Sequence, residues 1–86
     1  MKPDPSFERT LLGLAVRRMR RDRDLSQETV GRAGGLHRNY VGAIERGEVN
    51  PAFGVMLKVA RGLGAPLSAI VEHYERAHEQ TRQGSA

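Results

Sequence analysis

The stretch from Ser26 to Gly47, SQETVGRAGGLHRNYVGAIERG, constrains the fold most, because two short helical patterns meet there across the glycine pair Gly34-Gly35. Ser26 is placed to cap a helix over Gln27 to Ala33 by accepting from its first orphan amides. Val30, Ala33 and Leu36 supply the apolar side of that segment. One of the two glycines is expected to take the left-handed conformation that glycine adopts at little cost, which breaks the helix. A second helix follows from His37 to Arg46, with Val41 and Ile44 toward the core and Gly47 as its stop.

The rest of the chain reads as support for that unit. Asp4-Pro5-Ser6 is a helix-start signature, with either Asp4 or Ser6 as the cap, and Phe7, Leu11, Leu12, Ala15, Val16 and Met19 then recur at helical spacing to about Arg23. Asn50-Pro51 repeats the cap-then-proline start for a fourth helix with Phe53, Met56, Leu57, Ala60 and Leu63 as its stripe and Gly64 just past its end. After Ala65-Pro66 a fifth helix carries Leu67, Ile70, Val71 and Tyr74 inward and extends toward Thr81. No strand alternation and no internal repeat is visible. The fold class is therefore all-α, five helices in a single domain over residues 1–81, with residues 82–86 expected to be a disordered tail.

An 86-residue chain supports one modest core, and with no Cys that core is built by packing alone. No apolar run approaches the ~20 residues a membrane span needs, and no secretory signal follows Met1. The net charge of +4 is uneven: residues 1–71 hold 12 basic and 7 acidic side chains, residues 72–86 hold 2 and 3. A cationic body of this kind attracts polyanions, nucleic acid first.

Two short helices joined by a tight glycine-containing turn describe a helix-turn-helix unit. Gly31 is its small residue, Gly35 its turn glycine, and Val30, Leu36, Val41 and Ile44 its packing positions. With LGLAVRRMRRDRDLSQETV before it, the Ile-Glu-Arg-Gly ending, and NPAFGVMLKVARGLGAPLSAIV after it, the chain resembles the Cro/C1-type (XRE-like) helix-turn-helix DNA-binding proteins from about Leu12 to Val71.

The resemblance implies a five-helix Cro/C1 repressor-like domain that binds double-stranded DNA as a homodimer, with the third helix in the major groove. Position by position it places His37, Arg38, Asn39, Gly42 and Ala43 at the groove, with Arg38 suited to guanine and Asn39 to adenine. Gln27, Tyr40, Arg46 and Asn50 fall at phosphate-contact positions, with Arg17 or Arg21 adding charge. Arg20, on the edge of the first buried stripe, either takes a carboxylate partner or snorkels out to water, and the family pattern supplies Glu45 as its ion-pair partner. Leu67, Ile70, Val71 and Tyr74 are the candidate dimer surface. The expected setting is the cytoplasm, in association with the nucleoid.

Three departures from the family pattern stand out. His37 replaces a Ser or Thr cap, which is expected to weaken the start of the third helix by about 1 kcal/mol. Gly31 and Gly34 replace alanines, and Gly42 lies inside the recognition helix, where it costs ~1 kcal/mol against Ala. Fewer direct base contacts and a larger share of affinity from phosphate and DNA shape are the expected result.

Other chemistries find little support. His73 and His78 are five residues apart and fall on different helix faces, so no metal site is expected. No nucleophile elbow or phosphate-binding glycine loop occurs, so neither catalysis nor a cofactor is expected. The second functional class is a protein-interaction module or antitoxin, which keeps the fold, reads DNA weakly or not at all, and binds a toxin or another protein partner.

Overall fold

Helix starts and stops in this chain follow its caps, prolines and glycines. The computed structural model describes residues 5–84. Helix α1 (Pro5–Asp22) has Pro5 as its first helical residue, where the missing N–H is no loss. Asp4, the cap expected beside it, lies outside the described residues. The helix stops one residue before the expected Arg23, where the chain turns through Asp24 at φ 54°. Arg23 and Leu25 both donate their amides to the Arg20 carbonyl, at 3.2 and 3.1 Å.

Helix α2 (Gln27–Gly34) starts at Ser26, whose hydroxyl accepts from the Thr29 amide at 3.0 Å. It includes Gly34 and ends at Gly35, the left-handed member of the pair with φ 81°. Helix α3 (Arg38–Glu45) follows after the three residues Gly35, Leu36 and His37, α4 spans Phe53–Leu63, and α5 spans Leu67–Gly84. No strand occurs among the described residues.

The core joins all five helices: Val16 and Met19 of α1, Val30 of α2, Val41 and Ile44 of α3, Met56, Val59, Ala60 and Leu63 of α4, and Ile70 of α5. Burial of these side chains removes apolar surface from water and is the main favourable term for a chain with no disulfide. Helix α2 packs against α4, α1 against α5, and α3 against both α2 and α1. No single helix among the described residues is long and apolar enough to cross a membrane, and α4 and α5 meet at 100°.

Several expectations change. In α2, Ala33 is exposed, and the inward face is Val30, Gly31 and Gly34. The reason is close approach: a Cβ on Gly34 would meet the Lys58 carbonyl, one on Gly62 the Val30 carbonyl, and one on Gly31 the Leu36 carbonyl at 2.5 Å. Gly31 and Gly34 are therefore required where α2 meets α4 and the turn, and are not merely costly replacements for alanine.

Helix α4 starts at Phe53 behind Ala52, which offers no side-chain cap, so Asn50-Pro51 does not open it. Its buried stripe is Met56, Val59, Ala60 and Leu63, while Phe53 and Leu57 face outward at 69% and 42% exposure. Phe7, at the start of the α1 stripe, is 40% exposed. In α5, Ile70 is fully buried in the monomer core and is removed from the candidate dimer surface, whereas Val71 is 41% exposed and not inward. The helix also continues through Arg82, Gln83 and Gly84, which were expected in a disordered tail; the last two positions of that tail lie outside the described residues.

Candidate nucleic-acid interface

The turn between α2 and α3 is held from both sides. Gly35 donates its amide to the Gly31 carbonyl, and Leu36 donates to the same oxygen at 2.7 Å. His37 then caps α3, its Nδ1 accepting from the Asn39 amide at 3.0 Å. The imidazole thus does the work of the hydroxyl it replaces, and the expected loss at this cap does not follow.

A carboxylate at the far end of α3 locks the unit. Glu45 is 4% exposed and accepts a two-pronged contact from Arg20 of α1, Nε to Oε2 at 2.7 Å and Nη2 to Oε1 at 3.0 Å. Arg20 Nη1 donates to the Leu25 carbonyl at 2.8 Å, which ties the α1–α2 connection to the same group. The Gln27 carboxamide donates to Glu45 Oε1 at 3.1 Å, and Arg17 Nε lies 3.7 Å from that oxygen. Donation to the Glu45 carboxylate holds the Arg20 guanidinium above its ordinary pKa, against the opposing effect of burial. One buried acid therefore fixes α1, α2 and α3 relative to one another, as the pairing of Arg20 with Glu45 implies.

The other site residues divide by exposure. Arg38 and Asn39, at the start of α3, are exposed, as is His37. Tyr40 and Ala43 are half-buried, Tyr40 resting on the core. Gly42 does not face outward: it is buried, and a Cβ there would meet Arg46 Nη1 at 3.0 Å and Gln27 Oε1 at 3.2 Å. Those two side chains cover it, so whatever approaches this part of α3 meets Gln27 and Arg46.

Arg46 is exposed and pairs with Glu48, Nε to Oε2 at 2.8 Å. That bond raises the pKa of Arg46 and lowers that of Glu48. Asn50 is exposed and lines a cleft with Glu8, Arg9, Leu12, Val71 and Tyr74. Leu67 and Tyr74 are half-buried. Burial and the charges of Glu8 and Glu75 raise the Tyr74 pKa.

Glu28 was not among the sequence-derived site residues. It accepts from Arg32 Nη2 at 2.7 Å and from Arg38 Nη1 at 3.3 Å. The four-residue spacing to Arg32 signals the first contact, but Arg38 is ten residues away, and only the α2–α3 angle brings it in. His78, a rejected metal ligand in the sequence, sits with its ring centroid 6.0 Å from those of Phe7 and Tyr74. Packing accounts for its position, and among the described residues no three His, Asp or Glu side chains gather as a metal set.

The HTH_3 helix-turn-helix family matches residues 16–70, which contain the whole unit and its supporting core. Control protein C.SmaI of Serratia marcescens is 31% identical over 70 residues, covering 81% of this chain and 83% of that protein. The immunity repressor protein of Bacillus phage phi105 is 35% identical over 60 residues, covering 70% of this chain but 42% of the phage protein. The crystal structure of the restriction-modification controller protein C.AhdI from Aeromonas hydrophila aligns with a TM-score of 0.69 at 35% identity, over 72% of this chain and 94% of that one. With the turn, the capped α3 and the buried ion pair in place, the chain belongs to the HTH_3 family of Cro/C1-type, XRE-like helix-turn-helix DNA-binding transcriptional regulators, which are not enzymes.

Proposed function

We propose that the chain is a sequence-specific regulator, acting as a repressor or autoregulator, that inserts α3 into the major groove of double-stranded DNA as a homodimer. The observation that carries this reading is the Glu45 junction. It holds α3 at a set angle to α2 while leaving Arg38 and Asn39 exposed at the end that leads into a groove. Arg38 has the donor fork for guanine and Asn39 the donor–acceptor pair for adenine. The first amides of α2, backed by the positive end of the helix dipole, suit a phosphate beside Gln27. Tyr40, Arg46, Asn50, Arg17 and Arg21 supply further backbone contacts that position the domain without reading sequence. Similarity to a control protein and to a phage repressor supports the regulatory class.

A second copy is part of the reading, because one such unit reads a single half-site and two half-sites lie about 34 Å apart. Of the residues named for the dimer surface, exposed Val71 and half-buried Leu67 and Tyr74 remain available. Mobility shift with genomic fragments across a salt series tests the function. Specific complexes whose affinity falls steeply with salt are expected, since each phosphate contact displaces counterions. Absence of any complex in low salt would overturn the reading and favour the interaction module.

A further inference from the structure

Glu28 occupies the second position of α2, one residue past Gln27. An acid there is favoured by the helix dipole. That preference says nothing about its second partner. One carboxylate oxygen takes Arg32 Nη2 at 2.7 Å, and the other takes Arg38 Nη1 at 3.3 Å from the first residue of α3. All three side chains are more than half exposed, so solvent and salt reach the pairs and their strength is modest. The cluster carries a net single positive charge, and Arg32 offsets the repulsion that a carboxylate near phosphate would otherwise produce.

From this geometry we propose that Glu28 is a specificity-determining residue, which positions the Arg38 guanidinium from α2 for donation to a guanine. The inference rests on the reading of Arg38 as a groove contact. An arginine side chain has many rotamers, and fixing it on binding opposes affinity and lets it settle on wrong acceptors. With Nη1 held by Glu28, Nε and Nη2 remain as donors for the O6 and N7 edge of guanine. The bond also couples the first turn of α2, at the backbone, to the first turn of α3, at the bases. A shift of one helix is then felt by the residue that reads sequence.

The test is selection of bound sites from a duplex library with a randomised core, using the full chain. Wild type is compared with Glu28→Gln, Glu28→Asp, Arg38→Ala and the Glu28→Gln/Arg38→Ala double variant. Thermal melting of each variant comes first, and these exposed positions are expected to lower it only slightly, by the loss of a dipole contact and exposed ion pairs. Arg38→Ala should abolish preference at one base pair of each half-site. Glu28→Gln should weaken preference at that same base pair by about two- to fivefold, the range for an exposed ion pair. The double variant should match Arg38→Ala. Glu28→Asp keeps the charge but shortens the reach, and it should follow Glu28→Gln in base preference.

If Glu28→Gln strengthens binding to all sequences alike while Arg38→Ala still relaxes its base pair, Glu28 acts by charge alone and the proposal fails. An effect of Glu28→Gln that persists in the Arg38→Ala background would mean that Glu28 contacts a base itself, which also overturns it. If Arg38→Ala leaves every preference intact in a wild type that binds specifically, the groove assignment of Arg38 has failed first, and the positioning role falls with it.

Discussion

Glu45 joins α1, α2 and α3 through one carboxylate, so the consequences of losing it are unusually concentrated. Its side chain is 1% exposed and that of Arg20 is 13% exposed. Removing one partner leaves the other buried without its counter-charge, which outweighs any credit from the pair itself. Glu45→Ala is expected to destabilise the fold by about 3–5 kcal/mol, seen as a lowered urea midpoint; an unchanged midpoint would refute the junction. Gly42 presents the opposite case. It lies inside α3, where alanine is a better helix former by roughly 1 kcal/mol. The atoms a methyl group would meet are the ends of the Arg46 and Gln27 side chains, not backbone. Gly42→Ala should therefore stabilise by about 0.5 kcal/mol in the same titration, part of the propensity gain being lost as Arg46 gives way. Pairing at Arg20 was legible through the family pattern, which names Glu45; its place on the edge of an apolar stripe left snorkelling to water equally open. The arginine bridge at Glu28 was not, since a pair ten residues apart across a turn depends on the interhelical angle, and spacing carries no such information.

At the level of elements, the seam between α2 and α4 shows where periodicity stops being informative. In α4 the spacing of Phe53, Met56, Leu57, Ala60 and Leu63 is as helical as that of Met56, Val59, Ala60 and Leu63. Both patterns state that an apolar face exists, and neither selects which one is buried. The choice is made by backbone contact: Gly62 meets the Val30 carbonyl and Gly34 meets the Lys58 carbonyl, which turns Val59 inward and leaves Phe53 out. Helix number, the turn and the all-α class were readable from caps, glycines and prolines. The glycines needed for helix contact were not, because a small residue looks the same whether it is tolerated or required. A matched pair of substitutions separates the two kinds. Gly62→Ala forces backbone apart and should destabilise by about 1–3 kcal/mol. Gly54→Ala, in the same helix with nothing within 4 Å of the added carbon, should stabilise by roughly 0.5–1 kcal/mol. Thermal melting of both variants checks the sign, and equal shifts would show that α2 and α4 are not in the close contact described.

For the whole molecule, the open question of assembly narrows to which apolar side chains the monomer leaves uncovered. Ile70 and Val71 are neighbours in α5, yet Ile70 is fully buried and Val71 is 41% exposed. A dimer built on this helix must use Val71, with Leu67 and Tyr74 beside it, because Ile70 has no surface left to offer. Charge placed at the two positions should therefore have different outcomes. Ile70→Glu buries an unpaired carboxylate and should unfold the chain, with loss of the helical circular dichroism signal. Val71→Glu should keep the helical signal, since the new carboxylate faces water in the monomer. In a dimer with this interface, two such groups would be brought near each other in an apolar setting, which disfavours association. Sedimentation is then expected to show a dimer for wild type and a monomer for Val71→Glu, and the variant should shift a two-half-site duplex only at higher protein concentration. If Val71→Glu remains a dimer with unaltered DNA affinity, α5 is not the interface, and exposed Phe53 and Leu57 of α4 become the next surface to charge.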